Sequence, residues 1–206
     1  MKVFCEQTGI TLKKYINDIK KELFRKSIHL CTAFIPFLLD RWYKITIVLL
    51  INAGVFYSIS ELLRCRGIKI PFVSEITEAA ARKRDENRFV LGPLTLVSGI
   101  VLTALLWNTK AAAIGIYALA FGDGLASLAG KLFGVVYIPG TGGKTAAGSL
   151  TCFTAIFCST WVTTHNSRVS LIIAATGMFI EIMPLKDFDN LIIPVILGGL
   201  ARFLLP

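Results

Sequence analysis

Polar and apolar positions fall in blocks along this chain. Phe89–Trp107 runs 19 residues without a charge. At 1.5 Å per residue it would reach about 28 Å, close to the depth of a bilayer's hydrocarbon core. Further apolar runs cover Tyr43–Ser60, Ala111–Gly130, Ala146–Thr164, Arg168–Pro184 and Leu191–Pro206. Ile28–Leu39 is shorter, long enough for a half-span or a tilted helix. None of these runs alternates with period two, which argues against a β-barrel. The pattern predicts an all-α, polytopic integral membrane protein with about seven transmembrane helices. Ahead of them, Leu12, Ile16, Ile19 and Leu23 recur at helical spacing with lysines on the other face. That predicts an N-terminal amphipathic helix on the membrane surface. The chain reads as one membrane domain, with 1–27 interfacial and 28–206 a helical bundle. Its charged start does not resemble a cleavable signal sequence.

Composition sharpens the class. Apolar residues make up 54% of the 206 and charged residues 17%, with a mean hydropathy of +0.67. Soluble domains carry about 25% charged residues, so too little polar surface is available here to coat a water-soluble globule. The charges are also unevenly placed. With seven spans and an inside N-terminus, 17 of the 22 Lys and Arg fall in inner segments. This predicts a cytoplasmic N-terminus. Of the 13 acidic residues, only Asp40 falls on the outer side. Solubility alone does not require that second asymmetry, whereas a cytoplasmic-face site for a charged substrate does. The five cysteines, Cys5, Cys31, Cys65, Cys152 and Cys158, form no CxxC pair and read as small buried hydrophobes rather than disulfides or zinc ligands.

Four places carry chemistry. Glu22, Arg25, Lys26 and His29 share one helix face at i, i+3, i+4 and i+7; a basic anchor explains the cations but not the histidine. Asp123 lies within the fourth span, beside a stripe of Ala118, Gly122, Ala126 and Gly130 and one turn before Ser127. An acid inside a span is costly and marks a functional candidate. The loop Ile138-Pro-Gly140-Thr-Gly142-Gly143-Lys144-Thr145-Ala-Ala-Gly148-Ser149 can cradle phosphate with backbone N–H groups and a helix start. It is not a Walker A loop, because that pattern requires glycine where Ile138 stands. Finally, Glu181, Asp187 and Asp189 place three carboxylates within nine residues at a membrane boundary. Mg²⁺ takes such ligands together with nucleotide phosphates, although helix capping by Asp189 or Asn190 and a solvated loop are the structural alternatives. Glu61-Leu-Leu-Arg64 closes the second span and reads first as an ion pair, and residues 79–88 read as a short charged cytoplasmic helix.

In order along the chain, Glu22-x-x-Arg25-Lys26-x-x-His29, Glu61-x-x-Arg64, Gly122-Asp123-Gly124-x-Ala126-x-x-x-Gly130-x-x-x-Gly134, Lys144-Thr145-x-x-Gly148-Ser149, and Glu181 with Asp189-Asn190-x-x-x-Pro194 resemble the dolichol kinase, phytol kinase and CTP-dependent diacylglycerol kinase family. That family is related to the phosphatidate cytidylyltransferases. One position departs: in the family's Lys-Ser/Thr-x-Glu-Gly-Ser pattern the acidic place is Ala147 here. The resemblance implies a phosphotransferase that moves the γ-phosphoryl group of CTP to a membrane lipid alcohol of polyprenol, phytol or diacylglycerol type, with Mg²⁺ as cofactor. It implies that Asp123 binds the metal or accepts the hydroxyl proton, with Glu181, Asp189 and Asn190 completing the metal and nucleotide site. Gly142, Gly143, Lys144, Thr145, Gly148 and Ser149 would hold the triphosphate, Lys144 also acting in catalysis. Arg25, Lys26 and His29 would neutralise its charge. The partners implied are CTP, a lipid alcohol and the bilayer, with homo-oligomerisation an option and no nucleic acid. Two other readings are a cytidylyltransferase making a CDP-lipid and a non-catalytic transporter or scaffold. The chain lacks the cytidylyltransferase C-terminal motif with Lys-Asp, His-Gly-Gly and Asp-Arg.

Overall fold

The computed structural model describes residues 2–68, 70, 71, 73–80 and 88–205, with side chains from residue 16 onward except Asp18. Among the described residues the chain is all-helical, with one isolated antiparallel bridge between Tyr137 and Thr145. The helices are α1 (Lys2–Cys31), α2 (Ile35–Cys65), α3 (Val73–Ala80), α4 (Gly92–Leu106), α5 (Thr109–Tyr117), α6 (Gly124–Phe133), α7 (Ala146–Thr164), α8 (Ser167–Ile182) and α9 (Asp189–Leu204). Of the charged 79–88 stretch, residues 81–87 lie outside the description, as do the side chains of Leu12 and Cys5. The other four cysteines are free thiols.

Among the described residues, three helical stretches are long and apolar enough to cross a membrane: Ile19–Cys65, Thr109–Phe133 and Ala146–Thr164. The remaining apolar helices are shorter, because local stop signals cut them. Asn108 caps α5 by accepting from the Ala111 N–H at 2.9 Å. Asn166 caps α8 in the same way through Val169, directly after His165 ends α7 in a left-handed conformation. Asparagine side chains compete well for orphan N–H groups at helix starts.

The interfacial helix and the first half-span form one continuous helix, α1. Its amphipathicity is inverted. Glu22, Lys26 and His29 are buried, while Leu23, Phe24 and Ile28 are exposed. A short 3₁₀ turn, Thr32–Phe34, joins it to α2. No loop separates the first two apolar runs; α2 breaks instead at Trp42, whose φ of −137° and ψ of 55° leave the helical region. The Thr46 hydroxyl spans the break, donating to the carbonyls of Leu38 and Trp42 at 3.1 and 2.9 Å. A side-chain hydroxyl that takes up freed carbonyls is a recognised way to hold a kinked helix. Beyond the break, α2 presents Ile45, Val48, Leu49, Val55 and Ile59 outward. An exposed apolar surface of this extent suits hydrocarbon better than water. The α3 helix packs on both α1 and α2, so the two limbs close on the same side.

The core joins α4, α5, α7, α8 and α9, with Ile100, Ile114, Ile156, Ile173, Ile193 and Leu197 fully enclosed. The stripe of small residues predicted around Asp123 is the seam against α7. A Cβ on Gly122 would lie 2.7 Å from the Ile156 side chain, and one on Gly148 2.9 Å from the Ala126 carbonyl oxygen. Between α5 and α6, Ala118–Asp123 form a π-helical turn. This feature left no mark in the apolar periodicity. Such turns arise when one extra residue enters a helix, and they cluster at functional sites.

Candidate active site

Two cavities meet at Asp123. The larger, about 840 Å³, is the more polar of the two: Ser127, Lys131, Gly142, Gly143, Lys144 and Ser149 lie on its wall. The smaller, about 270 Å³, is mostly apolar, with Ile28, Phe56, Val73, Ile76 and Leu96 on its wall. Arg25, Lys26, Asp123, Lys186 and Asp189 line both. Residues 160 positions apart in sequence therefore share a single partition.

The π-helical turn ends at Asp123 and presents its carboxylate to α1. Lys26 donates to Asp123 Oδ2, both groups being almost fully buried. His29 Nδ1 approaches the same oxygen to 3.3 Å, yet without the angles of a hydrogen bond, so that nitrogen has no partner. A turn earlier, Glu22 gathers Arg25, Lys131 at 2.7 Å and the Ser127 hydroxyl at 2.8 Å. The face predicted from the i, i+3, i+4, i+7 spacing is therefore the face that docks α1 against α6.

The glycine-rich loop forms the opposite wall. Gly140, Gly142 and Gly143 all take positive φ, a conformation that side-chain-bearing residues reach only with strain. Thr145 caps α7 by accepting from the Gly148 N–H at 3.2 Å. Lys144 Nζ donates to Glu181 Oε1 at 2.6 Å, leaving Glu181 Oε2 buried without a partner. The Ser149 hydroxyl is likewise buried and unpartnered on this wall. Gly148 packs in the α6–α7 contact and also lines the larger cavity.

This chain is 25% identical over 181 residues to an uncharacterized protein of Methanocaldococcus jannaschii. The match covers 86% of this chain and 91% of that relative. No protein-family model matches the chain, and no solved structure matches it. The site must therefore be read from its own chemistry.

Asp189 opens α9 and faces both cavities. Burial, and then the nearby Asp123 charge, raise its carboxyl to about 6. Among the described residues no three His, Cys, Asp or Glu side chains come together as a ready metal cage. A Mg²⁺ ion held by one or two carboxylates plus phosphate oxygens does fit, because it needs no such cage. The repulsion between Asp189 and Asp123 is the kind a cation relieves, and Glu181 Oε2 offers a further unclaimed oxygen.

Two further residues of the quoted motifs tie helices together. Asn190 lines the apolar cavity and donates to the Gly92 carbonyl and the Thr95 hydroxyl, both at 3.3 Å, tying α9 to α4. Glu61 accepts from Arg64 at 2.7 and 2.8 Å and from the Val90 N–H at 2.8 Å, and so anchors the entry to α4. Lys186 was missed by sequence reasoning. It lines both cavities and has a φ of 57°, unusual for a residue with a Cβ. Its only sequence signal is a lone cation between Glu181 and Asp187.

Proposed function

We propose that this protein is a membrane-embedded lipid kinase that transfers the γ-phosphoryl group of CTP to the hydroxyl of a lipid alcohol. The observation that carries this reading is the pair of cavities, one mostly apolar and one more polar, that meet at the buried Asp123. Phosphoryl transfer demands positioning and positive charge more than covalent work by the protein. The polar cavity supplies Lys144, Arg25, Lys26 and Lys186 for a triphosphate, together with the N–H groups of a glycine-rich turn. The apolar cavity suits a hydrocarbon tail.

In this reading the lipid oxygen bonds to the γ-phosphorus and the bond to the β–γ bridging oxygen breaks. CDP leaves with that electron pair, and the hydroxyl proton passes to Asp123. Bound Mg²⁺ would supply charge neutralisation on the phosphates, with Asp189 and Glu181 as its protein ligands. CTP as donor follows from the family resemblance alone. The same reading takes the helices as a bundle of about seven spans, with the N-terminus and both cavities on the cytoplasmic side. The inverted amphipathicity of α1 supports it.

Purified protein in liposomes, given radiolabelled CTP and a panel of lipid alcohols, should yield CDP and a lipid phosphate. Release of pyrophosphate with a CDP-lipid would replace the kinase by a cytidylyltransferase. No turnover with any alcohol, nor with phosphatidic acid, would remove the enzyme reading.

A further inference from the structure

We infer that His29 receives the hydroxyl group of the acceptor, whose hydrocarbon tail enters through the apolar cavity. This deepens the lipid-kinase reading and rests on it. The residue spacing grouped His29 with Arg25 and Lys26 as a phosphate-facing cation. The structure separates them. Arg25 and Lys26 line both cavities, whereas His29 lines the apolar one alone.

The imidazole is 5% exposed, and its Nδ1 has no hydrogen-bond partner. Asp123 Oδ2, 3.3 Å from that nitrogen, is already engaged by Lys26. A buried ring nitrogen left unpaired is destabilising unless a ligand or water completes it. The rest of this cavity wall is largely hydrocarbon: Ile28 precedes His29 on α1, Phe56 faces it from α2, and Val73 and Ile76 come from α3.

A hydroxyl group suits this position in both of its roles. It can donate or accept toward the imidazole, and the carbon that bears it continues into apolar walls. The position also lies next to the partition that the polar cavity shares, so an oxygen held by His29 is adjacent to Asp123.

The test uses the full chain in liposomes with a photoreactive long-chain primary alcohol and the matching photoreactive alkane. The alcohol should label α1, α2 or α3 around the apolar cavity, and the alkane should label them far less. His29→Leu keeps the bulk without the hydrogen bond and should cut alcohol labelling about tenfold, the scale of one buried hydrogen bond. His29→Gln should restore most of it. In turnover assays His29→Leu should raise KM for the alcohol and leave KM for CTP unchanged. Equal labelling by alkane and alcohol in the native protein overturns the inference, and that comparison holds even if a variant fails to fold. A rise in the CTP KM with alcohol labelling intact also overturns it, returning His29 to the phosphate side. Hydroxyl-dependent, His29-dependent labelling without any phosphoryl transfer would uphold this alcohol site while discarding the kinase reading.

Discussion

Asp123 and Lys26 are 4% and 3% exposed, and neither charge is tolerable in such a place without the other. Removing one partner of a buried pair leaves the second uncompensated. Asp123→Asn should therefore lower stability by about 3–5 kcal/mol and also reduce turnover about 10²-fold or more, the scale of a positioned acid–base group. Thermal melts and specific activity measured on one preparation separate the two losses. A stable, fully active Asp123→Asn protein would contradict both roles. Lys186 gives a contrasting case. It is exposed, so Lys186→Gln should leave the melting temperature unchanged and raise KM for the nucleotide.

At the scale of helices, the sequence was informative wherever one residue type carried one meaning. Charge-free runs located α4 and α7 to within a few residues, and the small-residue stripe marked the seam between α6 and α7. The positive φ of Gly142 and Gly143 gives physical sense to the glycine-rich loop. Three things were hidden. That the gap between Leu39 and Tyr43 is a kink at Trp42 rather than a loop was hidden, because Thr46, not a proline or glycine, supports it. The role of Asn190 was hidden because an asparagine beside an aspartate looks the same whether it meets a ligand or a neighbouring helix. The π-helical turn was hidden because one extra residue in a uniformly apolar run alters no pattern. Deleting Ala120 tests the importance of that turn. The α-helical spacing would return, and Asp123 would rotate by about 100° relative to α5. Helical content by circular dichroism should persist while activity falls to background. Asn190→Ala should instead cost about 1–3 kcal/mol through its lost buried hydrogen bonds and leave KM for CTP unaltered.

For the molecule as a whole, the charge asymmetry and the exposed apolar face of α2 make a joint prediction about orientation. A cysteine replacing Val136, which is 65% exposed beside the polar cavity's loop, should react only with reagent on the cytoplasmic side. One replacing Lys110 near the start of α5 should react only from the opposite side. Each is introduced into a cysteine-free background. Reversed labelling at both positions would invert the proposed topology.

The partition between the two cavities has a consequence for fidelity. A triphosphate held near a reactive centre is always at risk of attack by water instead of its intended acceptor, and each such event wastes a nucleotide. Here the acceptor side is walled mainly by hydrocarbon, and the ion pair of Lys26 and Asp123 stands between it and the wet side. In the kinase reading, water entering the larger cavity would approach from the face away from the acceptor oxygen, which disfavours in-line attack. Idle hydrolysis of CTP should be slow in the absence of lipid alcohol, and Lys26→Ala should raise the ratio of free phosphate to lipid phosphate even as total turnover falls.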